Sequence, residues 1–194
     1  MMKVKETSPA YLTQSKVFTY QDYLELPEDS YQYQVINGEL VMTPAPYTIH
    51  QQVSINIVDK LIQFLKSNPI GRILYAPVDV VINETNVFQP DILFISTENS
   101  KIITQKNVTG PPDLVIEILS PSTGYYDLTE KKDVYAEFGV KEYWIVDPKK
   151  QSVEIYTNET KKFKSEQRLE TSGILKSRVL DGFEISLQKM FQMD

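Results

Sequence analysis

The chain has 194 residues, 41% of them hydrophobic and 24% charged, which suits one soluble globular domain with a sizeable core. It contains no cysteine and one histidine, His50, which excludes disulfides, thiolate catalysis, cysteine-ligated zinc and multi-histidine zinc sites within one chain. A formal net charge of −6 argues against a surface that coats nucleic acid, so any such contact has to be local.

The opening MMKVKETSPAYL lacks the apolar stretch of a signal peptide, and no later apolar run approaches the roughly 20 residues that span a bilayer. The expected setting is the cytoplasm, with no membrane partner. Residues 1–18 are polar and unpatterned and read as a flexible arm, leaving 19–194 as a single domain. Thr19 and Asp22 predict the capped start of a short helix, TYQDYLEL, closed by Pro27. In YQYQVINGELVM, Asn37-Gly38 between two β-prone runs predicts a hairpin.

From Thr48 to Ser67, Ile49, Val53, Ile57, Leu61, Phe64 and Leu65 recur at steps of three or four and predict an amphipathic helix. GRILYAPVDVVIN and VFQPDILFIS follow as two strands joined by a polar turn at 84–86, expected to form one antiparallel pair. After a looser stretch ending in Gly110-Pro111-Pro112, LVIEILS reads as a central buried strand. Asp127 to Phe138 reads as a helix with Leu128, Val134, Tyr135 and Phe138 inward and Gly139 as its stop. EYWIVD then forms a strand that the crossover rule places parallel to LVIEILS. VEIYT and KFKSEQ suggest a hairpin, followed by a strand near 176–180 and a short helix over 186–192. The expected class is α/β with a mixed sheet.

Two acids stand out. Asp91 and Glu117 lie near the ends of QPDILFIS and PPDLVIEILS, where a carboxylate is costly to bury without a partner or a cation. On neighbouring strands they could converge on a hard divalent ion, most simply Mg²⁺, which suggests phosphodiester chemistry. Asp127, Lys131 and Tyr135 fall at i, i+4 and i+8 on one helical face. Each feature also has a structural reading: Asp91 could cap a turn after Pro90, and Asp127 could cap its helix and pair with Lys131 at the surface. Glu39 could be a solvated hairpin residue, His50 could bond a helix end, and Gln89 could end a strand rather than polarise a water. Between Lys149 and Arg178, eight basic residues face four acids, a modest bias that a solvated surface also explains.

INGEL (36–40), PAPYTIH (44–50), APVDV (76–80), QPDILFIS (89–96), PPDLVIEILSPST (111–123), DLTEKKDVY (127–135) and GVKEYWIVD (139–147), in this order, resemble the PD-(D/E)xK nuclease superfamily. The similarity is greatest to a bacterial branch described as restriction endonucleases. It implies a restriction-endonuclease-like core of helix, three strands, helix and strand, with an N-terminal hairpin and a C-terminal β extension. It also implies a DNA endonuclease, without organic cofactor, holding Mg²⁺ (or Mn²⁺) on Asp91, Glu117 and the backbone carbonyl of Ile118.

The superfamily's usual lysine position holds Leu119; in the similar branch the lysine moves to the following helix, where Lys131 fits and Lys132 is the fallback. The resemblance brings Glu39 beside the site and leaves room for His50 as a phosphate contact or proton shuttle. Tyr143 and Trp144 read as core or dimer-face aromatics before base-stacking platforms. A homodimer follows from the need to cut two strands. Leu119 and the acidic charge keep open a second reading, a nuclease-fold module that binds nucleic acid or assembles with protein without turnover. A serine hydrolase is a distant third, since no G-x-S-x-G elbow occurs.

Overall fold

A reciprocal capping pair opens the first helix, α1 (Tyr20–Leu24): the Thr19 hydroxyl accepts from the Asp22 N–H while the Asp22 carboxylate accepts from the Thr19 N–H. The computed structural model describes residues 16–27, 31–120 and 124–193. Residues 1–15 of the expected arm lie outside the described residues. Its last part is tied down: the Phe18 N–H donates to the Gly38 carbonyl at 2.8 Å, and Lys16 pairs with Asp22 at 2.6 Å. The hairpin β1 (Gln32–Ile36) and β2 (Glu39–Thr43) turns at Asn37 and Gly38, whose φ angles of 50° and 79° suit the tight turn the sequence signals.

Helix α2 (Thr48–Ser67) has the predicted bounds. It buries Val53, Ile57 and Leu61, with His50 in place of the expected Ile49, which is exposed. The next segment corrects the expectation of one long hairpin. It divides into β3 (Gly71–Tyr75), β4 (Val80–Asn83), β5 (Asn86–Phe88) and β6 (Ile92–Ser96). β3 pairs with β6 and β4 with β5, each antiparallel, but in different sheets. Pro77 and Pro90, lacking an N–H, stand where the ladder stops.

A turn of 3₁₀ helix (Ser100–Ile102) and β7 (Val108–Thr109) lead to β8 (Leu114–Ile118), buried throughout. The expected helix over 127–138 is two: α3 (Gly124–Leu128) and α4 (Glu130–Phe138), broken at Thr129 with φ −126° and ψ −89°. Val134 and Tyr135 are buried as expected, whereas Leu128 and Phe138 are exposed. β9 (Glu142–Asp147) runs parallel to β8. β10 (Ser152–Glu159) and β11 (Lys162–Glu170) form the next hairpin. The final strand lies earlier than expected, as β12 (Ile174–Lys176), and pairs with β13 (Glu184–Ser186); Ser186 then caps α5 (Leu187–Met190).

The central sheet has six strands in the order β11-β10-β9-β8-β6-β3. One face packs on α2 and the C-terminal elements through Ile92, Phe94, Leu114, Ile116 and Trp144. The other packs on α3, α4 and a five-stranded sheet, β2-β1-β5-β4-β7, through Leu93, Ile95, Val115 and Tyr143. Strand alternation thus divides β8 between two layers, and its one acid must enter one of them. No helix among the described residues is long and apolar enough to cross a membrane.

Candidate active site

Because Ile116 and Ile118 face the α2 layer and Val115 the α4 layer, Glu117 points toward α4. Asp91 immediately precedes β6, the strand paired with β8. The two acids meet at this end of the sheet. The Ile118 N–H donates to Asp91 Oδ2 at 2.7 Å, and the Asp91 N–H lies 3.4 Å from Glu117 Oε2.

Helix α4 supplies the positive charge. Lys131 Nζ lies 3.1 Å from Glu117 Oε1 and 2.9 Å from Asp127 Oδ1, and the Tyr135 hydroxyl donates to Glu117 Oε1 at 3.3 Å. The spacing of Asp127, Lys131 and Tyr135 keeps them on one side even across the break at Thr129. The alternative of a surface Asp127–Lys131 pair does not hold, since both side chains are buried beneath the sheet. From the opposite side α2 delivers His50, whose Nε2 is 3.1 Å from Asp91 Oδ2. Its Nδ1 is buried without a hydrogen-bond partner. Asp91, 19% exposed in its side chain, is the cluster's opening to solvent; Glu117 and Lys131 lie behind it.

Three carboxylates and one ammonium leave an excess of negative charge. Burial pushes Glu117 up to about 8; the Asp127 and Asp91 charges add to this, and together these effects outweigh Lys131. Burial disfavours the Lys131 ammonium, but Asp127 and Glu117 outweigh it and hold its pKa above the ordinary lysine value. His50 follows the same pattern: desolvation opposes the imidazolium, the Asp91 hydrogen bond and charge favour it, and the net shift is upward.

Glu39 is not brought to this cluster. It is exposed at the head of the edge strand β2, paired with Ile36, and its side chain makes no hydrogen bond or ion pair with the described residues. Lys132 turns away, its ammonium 3.4 Å from the Tyr156 ring centre. Tyr143 and Trp144 are fully buried core residues. Gln89 does more than end a strand. Its amide donates to Asp79 at 2.8 Å and to the Tyr23 hydroxyl at 3.3 Å, tying α1 to the segment before Asp91.

Sequence reasoning also passed over two buried acids, Asp113 and Glu142, at the opposite end of the sheet. Both have their own partners there. Asp113 accepts from the Ser96 N–H at 2.8 Å and pairs with Lys141 at 2.7 Å. Glu142 accepts from Trp144 Nε1 at 2.5 Å and from the Arg178 and Val179 N–H groups at 2.7 and 3.1 Å. EYWIVD carried the same signal as LVIEIL, an acid among apolar residues. What distinguishes Glu117 is its company of other carboxylates.

The model of the Uma2 family, described as "putative restriction endonuclease", matches residues 20–188. The chain belongs to this family. Among solved structures, this Uma2 chain is similar to a "putative nuclease belonging to DUF820" from Anabaena variabilis ATCC 29413. The TM-score is 0.75 at 20% identity, over 90% of this chain and 97% of that one. At that identity the likeness speaks for the fold alone. No curated protein matches. The family and the nuclease-like α/β fold implied by the seven motifs are thereby borne out.

Proposed function

We propose that this Uma2 chain is a Mg²⁺-dependent endonuclease hydrolysing DNA, with Mn²⁺ as a substitute ion, acting as a cytoplasmic homodimer. The observation that carries this reading is the convergence of Asp91 and Glu117 from paired strands with Lys131 held against Glu117. Among the described residues no group of three or more His, Asp or Glu side chains could hold a metal. The donors would instead be two carboxylates and the Ile118 carbonyl, with water completing the shell. This set fits a hard ion, being all oxygen, and the ion would favour the ionised form of Glu117. When bound, a divalent ion lowers the pKa of water and neutralises charge gathering on the phosphate oxygens.

The chain's own groups do the rest. Lys131, fixed between Asp127 and Glu117, orients the attacking water and offsets charge at the phosphate, replacing a lysine at position 119. Tyr135 orients Glu117 through its hydroxyl, and His50 holds Asp91 and can exchange a proton at Nε2. A two-fold pair of such sites is the simplest way to cut both strands of a duplex.

The test is incubation of the purified protein with plasmid and single-stranded DNA across Mg²⁺ and Mn²⁺, beside Asp91→Ala and Glu117→Ala. Cleavage that persists in both variants rules the assignment out. Binding that survives EDTA and both substitutions, with no cleavage by the wild type, favours a scaffold without turnover, the reading that Leu119 supports.

A further inference from the structure

Four tyrosines are more than half exposed among the described residues, and three of them lie at the end of the central sheet that carries Asp91 and Glu117. Tyr47, 65% exposed, caps α2, whose first turn delivers His50 to Asp91. Tyr75, 62% exposed, ends β3 opposite Ile92, and the next residue's N–H donates to the Asp91 carbonyl at 2.9 Å. Tyr125, 63% exposed, lies on α3 two residues before Asp127. Leu128, also exposed, extends this rim.

The charge at this end is equally informative. Segments 44–50, 75–79, 89–91, 118–120 and 124–130, which bring these residues together, contain no lysine or arginine. Lys131, the next lysine along the chain, is buried and paired with two carboxylates. Duplex binding draws most of its affinity from phosphate neutralisation, and this rim lacks the cations for it. Exposed tyrosine rings offer a different handle. They stack on bases and tolerate any sequence, but only where the bases are unpaired.

We propose that Tyr47, Tyr75 and Tyr125 form a stacking rim that admits single-stranded DNA to the Asp91–Glu117 site. This deepens the nuclease reading and rests on it. A rim of this kind selects flaps, gaps and melted ends over intact duplex.

The experiment is fluorescence anisotropy with fluorescein-labelled oligothymidylate and with a duplex of equal length, in EDTA so that nothing is cut. The single strand should bind at least about tenfold more tightly than the duplex, with a shallow salt dependence. The triple variant Tyr47→Ala/Tyr75→Ala/Tyr125→Ala should lose at least about tenfold in single-strand affinity, and the matching Phe variant should keep it. Equal affinity for duplex, or an unchanged triple Ala variant, overturns the rim. So does a triple variant that loses self-association in sedimentation instead of oligonucleotide binding, since the tyrosines would then join two copies.

The two readings fail separately. Metal-dependent cleavage of duplex that is lost in Asp91→Ala, with no single-strand preference, sinks the rim and spares the nuclease. Oligonucleotide binding through the tyrosines with no cleavage under any metal does the reverse for single-strand binding at this rim: the contact stands and the catalytic reading falls.

Discussion

Lys131 reaches Glu117 from a helix fourteen residues further on, placing its ammonium 3.1 Å from Oε1, while the position two residues beyond Glu117 holds Leu119. A lysine on a strand is confined to its own face of the sheet, whereas one on a packed helix can be aimed from above. The helix also brings Asp127 and Tyr135, which fix the ammonium and the carboxylate it touches. A strand lysine could not carry both companions.

Removing either strand acid should silence the enzyme without unfolding it. Asp91→Asn and Glu117→Gln are expected to lower the metal-dependent cleavage rate at least about a hundredfold. Circular dichroism should match the wild type. Rates within a few fold of wild type would falsify the assignment.

Substituting the lysine should cost stability as well as activity. Lys131→Ala leaves Glu117 and Asp127 buried without their cation, and breaking a buried pair costs about 3–5 kcal/mol. Urea unfolding measures the loss. Added Mn²⁺ should recover part of it, because a ligand that binds only the folded state stabilises it by mass action. No response to Mn²⁺ in either protein would argue that the site takes no ion.

Metal affinity should depend on pH through Glu117. Its folded pKa lies above its unfolded value, so its contribution to stability is full below the unfolded pKa and is lost as pH rises toward about 8. A cation requires the ionised form, so binding at pH 6 should release a proton, and affinity should rise with pH and level off above about 8. Calorimetry in two buffers of different ionisation enthalpy counts that proton. An affinity flat between pH 6 and 9 would contradict the expectation.

Asp113 supplies the opposite sign. Burial raises its pKa, but Lys141 and the Ser96 N–H lower it further, and the net shift is downward. Its contribution is present above the ordinary aspartate value and disappears as pH falls through the folded pKa. Asp113→Ala should cost about 1–3 kcal/mol at neutral pH by stranding the Ser96 N–H, and should flatten the acid limb of the stability profile. Chemical unfolding at pH 7 and pH 3 separates these effects.

Gly71 makes a purely steric case. A Cβ there would meet the Ile95 carbonyl oxygen at 2.3 Å and the Phe94 ring at 2.6 Å. Gly71→Ala should therefore destabilise by about 1–3 kcal/mol through displacement of β3 from β6. Thermal melting will show whether that strand yields so readily that the change is silent.

Local signals carried most of the secondary structure. The Thr19–Asp22 capping pair, the Asn37-Gly38 turn and the periodicity of 48–67 are contained within short windows, and each element stands where those windows place it. The division of residues 71–96 between two sheets was not legible, because alternation along a strand says nothing about which partner accepts its hydrogen bonds. Leu128 and Phe138 misled for a related reason. An apolar residue can face water without a local mark, and both are exposed.

At the site, Asp91 and Glu117 were visible as acids at the ends of apolar strands, whereas Lys131 came from the family resemblance, its spacing from Asp127 being equally compatible with a surface pair. Glu142 carried the same mark, and its donors, the backbone of Arg178 and Val179, lie 36 and 37 residues away. Satisfaction by distant backbone cannot be read from sequence. Glu39 shows the converse, a residue brought to the site by resemblance but left in solvent by its edge strand.

Asp91 stands at the step where one antiparallel ribbon leaves the smaller sheet and joins the larger. Tyr75 opposite Ile92 on one side and Val80 opposite Phe88 on the other act as two clamps on a single carboxylate. The acid therefore cannot be transplanted with its loop. Lengthening the connection between Phe88 and Ile92 by one residue would shift the following ladder out of phase, and slippage by a single position turns every side chain to the opposite side.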